Sequence, residues 1–463
     1  MAIARRDFLL ASAALGVGVL GGRAASAALP TNADVVVIGA GAAGIAAARR
    51  LAAANVRVAV LEATDRVGGR CQTDTSTFGI PFDRGARWLY SQDTNPVAKL
   101  ARSVGMEIYG APPSQKIRIG RRNARSGEVE DYLASLVRAN RAIQDPTRKS
   151  DTSALSALPN DLGAWQGTLS FVLGPAAISK DLSDVSAFDL ARQDPRDAGA
   201  FCRQGLGTLV AKLAETVPVS LSTPATRISW QGKTLEIETP AGRLTPRAII
   251  VTASTSVLGS GSIKFVPDLP KRQLDAIAKL TLGSYDHIAL ELSNNPLGLQ
   301  RDDVVIEQSD TNRTALLLAN IGGSSICLVD VAGSFGRDLS DHGNDAMIAF
   351  AIEWLTKLYG SDIKASLKRR AVTRWNATPH VGGAMSVAAI GNQGSRRILT
   401  EPLGALFFAG EATHETLAGT VGGAWDSGER TAEAVLRRLG LIKEPEPEAA
   451  PRRRRGSKGG VRS

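Results

Sequence analysis

The glycines and the acid between residues 34 and 70, DVVVIGAGAAGIAAARRLAAANVRVAVLEATDRVGGR, are spaced to hold a phosphate-bearing ligand. Gly39, Gly41 and Gly44 make G-x-G-x-x-G. The first glycine permits a tight turn, the second lets backbone approach a pyrophosphate, and the third lets a helix pack close to a strand. Glu62 follows about 20 residues on, where a carboxylate accepts the hydroxyls of a ribose. The chemistry is that of a dinucleotide site. A second glycine-rich stretch, with Gly410 and Glu411 and then Gly419-Thr420-Val421-Gly422-Gly423, stands at the other end of the chain.

Such a turn has to be held between a strand and a helix. Residues 34–38 form a run of β-branched side chains, the pattern of a strand buried on both faces of a parallel sheet. The alanine-rich stretch as far as Ala54 predicts a helix that aims its dipole and unpaired N–H groups at the phosphates. Residues 57–61 make the second strand, which Glu62 ends. Residues 106–200 shift to a polar composition, with a basic cluster at 118–125, a helix-like stretch at 130–143 and a loop-rich stretch at 145–161. Residues 220–251 alternate as short strands, with a hairpin turn at 239–242.

With 463 residues, 43% apolar and 22% charged, the chain buries a large core and forms two domains, or one with a large insertion. The net charge of +10 owes much to the four arginines at 452–455. No nucleic-acid motif or interleaved aromatics accompany it, so the reading is against a nucleic-acid partner. Cys71, Cys202 and Cys327 are too few and scattered for a disulfide framework or a metal site, and read as buried thiols. Residues 1–27 have the layout of an export signal: Arg5-Arg6, an apolar run at 8–20, and Ala25-Ser26-Ala27 for cleavage. That run is shorter than the roughly 20 residues a spanning helix needs. It predicts a twin-arginine signal, the twin-arginine translocase as a partner, and a periplasmic or secreted mature protein. Residues 443–463, rich in Pro, Glu and Arg, read as a disordered basic tail.

The extension Glu62-Ala-Thr-Asp-Arg66-Val-Gly68-Gly69-Arg70 resembles the flavin amine oxidase family, and segments along most of residues 34–439 continue the likeness. The resemblance implies an α/β fold: a glutathione-reductase-like, Rossmann-like FAD-binding domain with an interleaved α+β substrate domain. The first would take residues 33–105, 202–265 and 397–440, the second residues 106–201 and 266–396. The implied cofactor is FAD, gripped at Gly39, Gly41, Ala43, Gly44, Glu62 and Ala63, with Arg66, Gly69 and Arg70 neutralising the diphosphate. Phe82-Asp-Arg-Gly85-Ala86-Arg87-Trp88-Leu89 resembles the family's segment along the isoalloxazine; Gly85 and Ala86 would lie against the ring, and Arg87 and Trp88 would face either flavin or substrate. Backbone near Ala225 would hold the adenine. Trp375, in a segment like the family's RWxxxPxxxGxYS, would pack beside the flavin. Gly410 and Glu411 would meet the ribityl chain and pyrophosphate. Thr420 and Val421 would open a helix toward flavin O2, where negative charge develops. Ala384 and Met385 occupy the region where monoamine oxidases carry an attaching cysteine, which implies non-covalent FAD.

Most members carry a lysine that holds a water at flavin N5, and the alignment puts His287 there, a side chain able to exchange a proton near neutral pH. The positions of the family's aromatic cage fall on Leu417 and on Met385 or His380, so that cage is expected to be absent. Three of the four histidines, His287, His380 and His414, lie in segments that the family folds around the flavin, while His342 reads as surface. The expected catalytic set is His287, Trp375 and His380. The implied activity is oxidation of an amine, or an amino-acid-like substrate, to an imine and then to a carbonyl compound, with O2 or another acceptor taking the electrons. A carbon–carbon desaturase or porphyrinogen-type oxidase, and an exported flavoprotein that delivers electrons to a partner, are the alternatives.

Overall fold

In the computed structural model residues 29–443 are described, except 31, 197 and 198; the export segment and nearly all of the basic tail lie outside them. Five parallel strands form one sheet in the order Leu406–Phe408, Ala248–Val251, Val35–Ile38, Val58–Leu61 and Val219–Ser220. The central strands are buried throughout, and successive residues point to opposite faces. Val35, Val37, Val60 and Ile250 pack under the helices Ala42–Ala52, Leu206–Ala214 and Val421–Arg438. Val36, Ile38, Leu61 and Ile249 face the four-stranded layer that carries Ile228, Ile237 and Phe265. Each such side chain withdrawn from water contributes about 1.5–3 kcal/mol. A single acid on either face of Val35–Ile38 would therefore break the sheet.

The first and last helices lie in contact. At Gly428 of Val421–Arg438 an added Cβ would come within 2.1 Å of the carbonyl oxygen of Ala43, so only glycine permits the approach. The helix starting in the glycine turn runs to Ala52 rather than Ala54, because Asn55 takes φ 58 to turn the chain into Val58–Leu61.

A second sheet has seven strands, in the order Leu367–Val372, Tyr285–Leu292, Ile326–Ala332, Leu316–Leu318, Val304–Glu307, Gln115–Ile119 and Arg122–Asn123. All its pairs are antiparallel except Val304–Glu307 with Gln115–Ile119. Helix Asn344–Tyr359 covers one face through Met347, Trp354 and Leu358; the other packs on Tyr132, Leu169 and Phe171. The expected helix at 130–143 begins earlier, at Ser126, where the Glu128 carboxylate accepts the N–H of Arg125 at 2.8 Å. The basic cluster at 118–125 is a strand hairpin braced to that helix, and the stretch at 145–161 contains the short helix Ala154–Ala157.

Candidate active site

A cavity of about 1600 Å³ runs between the two sheets, and every residue of the expected catalytic and cofactor-binding sets lines it except Gly44. Gly44 has a packing role: a Cβ there would lie 1.9 Å from the carbonyl oxygen of Gly39. Gly39 needs its φ of +102 for the turn. Gly41 differs from both, because nothing lies within 4 Å of its added Cβ, and this open side faces the cavity. Backbone is thus presented bare where a pyrophosphate would approach. The Glu62 carboxylate accepts the Ala40 N–H at 2.7 Å and two bonds from Thr64, leaving Oε2 capacity for a ribose hydroxyl. Ala63 and Ala225 are small residues of the same wall.

The arginines and the acid of the phosphate region are engaged with the protein itself. Arg66 donates to the carbonyls of Val67, Gly69 and Cys71, so it braces the second glycine turn rather than standing free for a diphosphate. Arg70 pairs with Glu411 at 2.8 Å and also donates to the Ala384 carbonyl. Glu411, 5% exposed, further accepts the Ser386 hydroxyl at 2.6 Å and the Gly419 N–H at 2.8 Å. Glu411 lines the cavity, and its carboxylate ties the loop 410–420 to Arg70 and Ser386. Burial works against its charge, but Arg70, Ser386 and Arg396 outweigh that and hold the carboxyl below its ordinary value. Gly410 and Val421 remain on the wall, and Thr420 caps helix Val421–Arg438 by accepting the Gly423 N–H, so the helix N-terminus opens on the cavity.

At the far end stands His287, on strand Tyr285–Leu292, the second of the seven-stranded sheet. Its Nδ1 lies 2.6 Å from the Asp330 carboxylate and its Nε2 3.1 Å from the carbonyl oxygen of Gly85. Both partners are acceptors, an arrangement that favours the doubly protonated ring. Burial pulls its pKa down, but Asp330's charge and hydrogen bond prevail and raise it above the usual histidine value. Asp330 thus biases the ring toward its protonated form. The Tyr285 hydroxyl donates to the other oxygen of Asp330 at 2.9 Å. Asp286 accepts from Thr373 and from the Trp375 N–H, and Trp375 Nε1 donates to the Arg84 carbonyl, so the indole is held from two sides. A Cβ at Gly85 would fall 2.0 Å from the carbonyl oxygen of Arg70 and 2.8 Å from that indole, which is why Gly85, next to Ala86, has no side chain.

The other histidines are not part of this cluster. His380 is exposed at the cavity rim with φ 60, in a loop clipped by Ser254 and Ser256 to the carbonyls of Val381 and Gly382, and makes no hydrogen bond to a described residue. His414 is a brace: Nδ1 accepts the N–H groups of Thr416 and Leu417, so Nε2–H donates to Asp426. His342 is exposed, as expected. Leu417 is turned away from the cavity, whereas Met385 lines it. Aromatic walls nonetheless exist, from Tyr285, Trp375 and the pair Trp88 and Tyr90, whose rings lie 6.0 Å apart and 4° from parallel. Asp330, Tyr285 and Tyr90 escaped the sequence reading; Asp330 did so because a cross-strand partner 43 residues from His287 leaves no local signal. Burial pushes the Cys71 thiol up to about 12, in keeping with a packed thiol, and the described residues hold no His, Cys, Asp and Glu group able to bind a metal.

A parallel sheet that opens a glycine turn onto one long cavity is the geometry of a dinucleotide-binding oxidoreductase. The chain belongs to the flavin containing amine oxidoreductase family, whose model matches residues 42–191 and 150–436. It is 27% identical over 438 residues to polyamine oxidase 5 of Oryza sativa subsp. japonica, covering 88% of each chain. It is 26% identical to human lysine-specific histone demethylase 2 over 92% of this chain and 57% of that protein. Two solved structures share the fold: cyclohexylamine oxidase from Brevibacterium oxydans, with TM-score 0.74 and 21% identity, and putrescine oxidase bound to putrescine, with TM-score 0.75 and 18% identity. Each comparison covers 88% of this chain and 99% of the other.

Proposed function

We propose that the protein is an FAD-dependent amine oxidase that turns an amine into an imine, which water then hydrolyses to a carbonyl compound and ammonia. The observation that carries this reading is the single cavity joining the bare backbone at Gly41 to His287 and Trp375. The residues fit the cofactor. The turn at Gly39, Gly41 and Ala43 and the N-terminus of helix Val421–Arg438 would take its negative groups, Glu62 a ribose, the wall at Ala225 the adenine, and Gly85, Ala86 and Trp375 the ring. No cysteine lies at Ala384 or Met385, which supports FAD held without a covalent bond. When bound, FAD supplies the acceptor for hydride from the carbon bearing the amine, and hands the electrons on to O2 or another acceptor.

The chain's own residues set the stage for that transfer. Trp88, Tyr90, Tyr285 and Trp375 make a wall that excludes water and suits the neutral amine. His287, held by Asp330 and Gly85, presents a ring biased toward its protonated form where the resemblance implies a lysine. The Arg5-Arg6 segment supports an exported, periplasmic or secreted enzyme, which fractionation of the producing cells would test. The decisive experiment is to mix the purified yellow protein anaerobically with amines and amino acids and then admit air. Bleaching that air reverses with release of peroxide supports the oxidase; bleaching that air leaves unchanged moves the reading to a dehydrogenase with another acceptor. A protein that stays colourless with excess FAD sinks both.

A further inference from the structure

Asp286, one residue before His287, is an acid with 0% exposure that does not line the cavity. No arginine or lysine among the described residues bonds to it, and its Oδ2 has no partner at hydrogen-bond distance. Burial pushes the carboxyl above its ordinary value, and the Trp375 N–H, the Thr373 and Ser340 hydroxyls and the charge of His287 offset that only in part. A buried acid so placed is costly to keep. What it contributes is the hold of its other oxygen.

Oδ1 accepts two bonds, from the Trp375 N–H at 2.8 Å and from the Thr373 hydroxyl at 3.0 Å. Thr373 in turn grips His287 by both main-chain groups: its hydroxyl accepts the His287 N–H at 2.8 Å, and its N–H donates to the His287 carbonyl at 3.0 Å. One oxygen therefore ties strand Tyr285–Leu292 to the turn Trp375–Ala377, and each of these sends a side chain to the cavity wall. Little slack is left on the other side. Trp375 Nε1 donates to the Arg84 carbonyl at 2.9 Å, and His287 Nε2 lies 3.1 Å from the Gly85 carbonyl. Indole, imidazole and residues 84–85 thus form a closed frame, which Asp286 braces from behind.

We infer that Asp286 is a positioning residue for the flavin ring: through one carboxyl oxygen it sets both the indole of Trp375 and the imidazole of His287 against residues 84–85, and so fixes how the ring is seated for hydride transfer. This rests on the amine oxidase reading, and its test separates the two.

The test compares the holoprotein with Asp286→Ala, Asp286→Asn and Thr373→Val. Visible circular dichroism of the oxidised flavin reports how the ring is seated, and anaerobic stopped-flow reduction by an accepted amine separates the limiting rate from the half-saturating concentration. Asp286→Ala should alter the visible dichroism and lower the limiting rate by about 10- to 100-fold, the order expected of a misplacement near ~1 Å, with the half-saturating concentration changed by less than about threefold. Asp286→Asn, whose side-chain oxygen can take the same two donors, should restore most of both. Thr373→Val keeps the shape, removes the hydroxyl and should cost about tenfold in limiting rate. If Asp286→Ala melts at a lower temperature yet keeps the wild-type dichroism and limiting rate, the acid is structural only and the proposal is overturned. Should Asp286→Ala fail to fold, wild-type dichroism and rate in Thr373→Val overturn it equally. If no amine reduces the wild-type flavin, the oxidase reading falls, while the dichroism of the variants still decides the role of Asp286.

Discussion

Asp330 and His287 face each other across antiparallel strands, Oδ1 to Nδ1 at 2.6 Å, with both side chains almost fully buried. The Gly85 carbonyl closes off the opposite nitrogen. One carboxylate and one main-chain oxygen thus dictate the protonation of the ring.

Asp330→Asn should shift the pH dependence of flavin reduction. With His287 raised above its ordinary value, the pairing is complete below about pH 6.5 and is lost as pH rises through the higher folded value. Removing Asp330's charge should bring that upper limb to lower pH and destabilise the fold by about 3–5 kcal/mol, the usual cost of leaving one buried partner alone. An unmoved profile from stopped-flow reduction would take Asp330 out of the account.

His287→Ala should slow flavin reduction or reoxidation on the order of tenfold or more. His287→Lys, which keeps a cation, should retain more of the rate than His287→Gln, which keeps only hydrogen bonding. Equal rates in the Lys and Gln variants would show that charge at this position is irrelevant.

Arg70→Ala should weaken FAD retention and raise the pH at which the protein unfolds in acid. Glu411 lies below its ordinary carboxyl value, so its contribution is present above about pH 4.3 and disappears as pH falls through the lower folded value. Without Arg70 that loss should begin at higher pH. An unchanged acid midpoint by circular dichroism would contradict the lock at residues 410–420.

Gly41→Ala and Gly44→Ala should part company. The first adds a methyl group where the chain itself has nothing within 4 Å, so apoprotein stability should hold while FAD affinity drops. The second forces a Cβ to within 1.9 Å of the Gly39 carbonyl and should destabilise the apoprotein by about 1–3 kcal/mol or more. Thermal melts with and without FAD distinguish them, and equal losses of apoprotein stability would refute the division of labour.

The turn, the first two strands and Glu62 were legible because each is written within a few dozen contiguous residues, by spacing and alternation alone. Where function depends on pairing between distant strands, local pattern is silent. The Asp330 partner of His287 and the Tyr285 hydroxyl beside it emerge only from the register of Tyr285–Leu292 against Ile326–Ala332. His380 and His414 mislead because a histidine in a glycine-rich segment serves equally as rim or brace, and only its hydrogen bonds tell which. Glu411 reads as a ligand group until Arg70 and Ser386 are seen to saturate it.

The contact between helix Ala42–Ala52 and helix Val421–Arg438 also has a temporal consequence. A nascent polypeptide emerging from the ribosome lacks Leu406–Phe408 and the capping residues 420–421 until the ribosome has passed them. The flavin therefore has a complete berth only once both glycine-rich stretches have been made and have met, so loading follows their pairing.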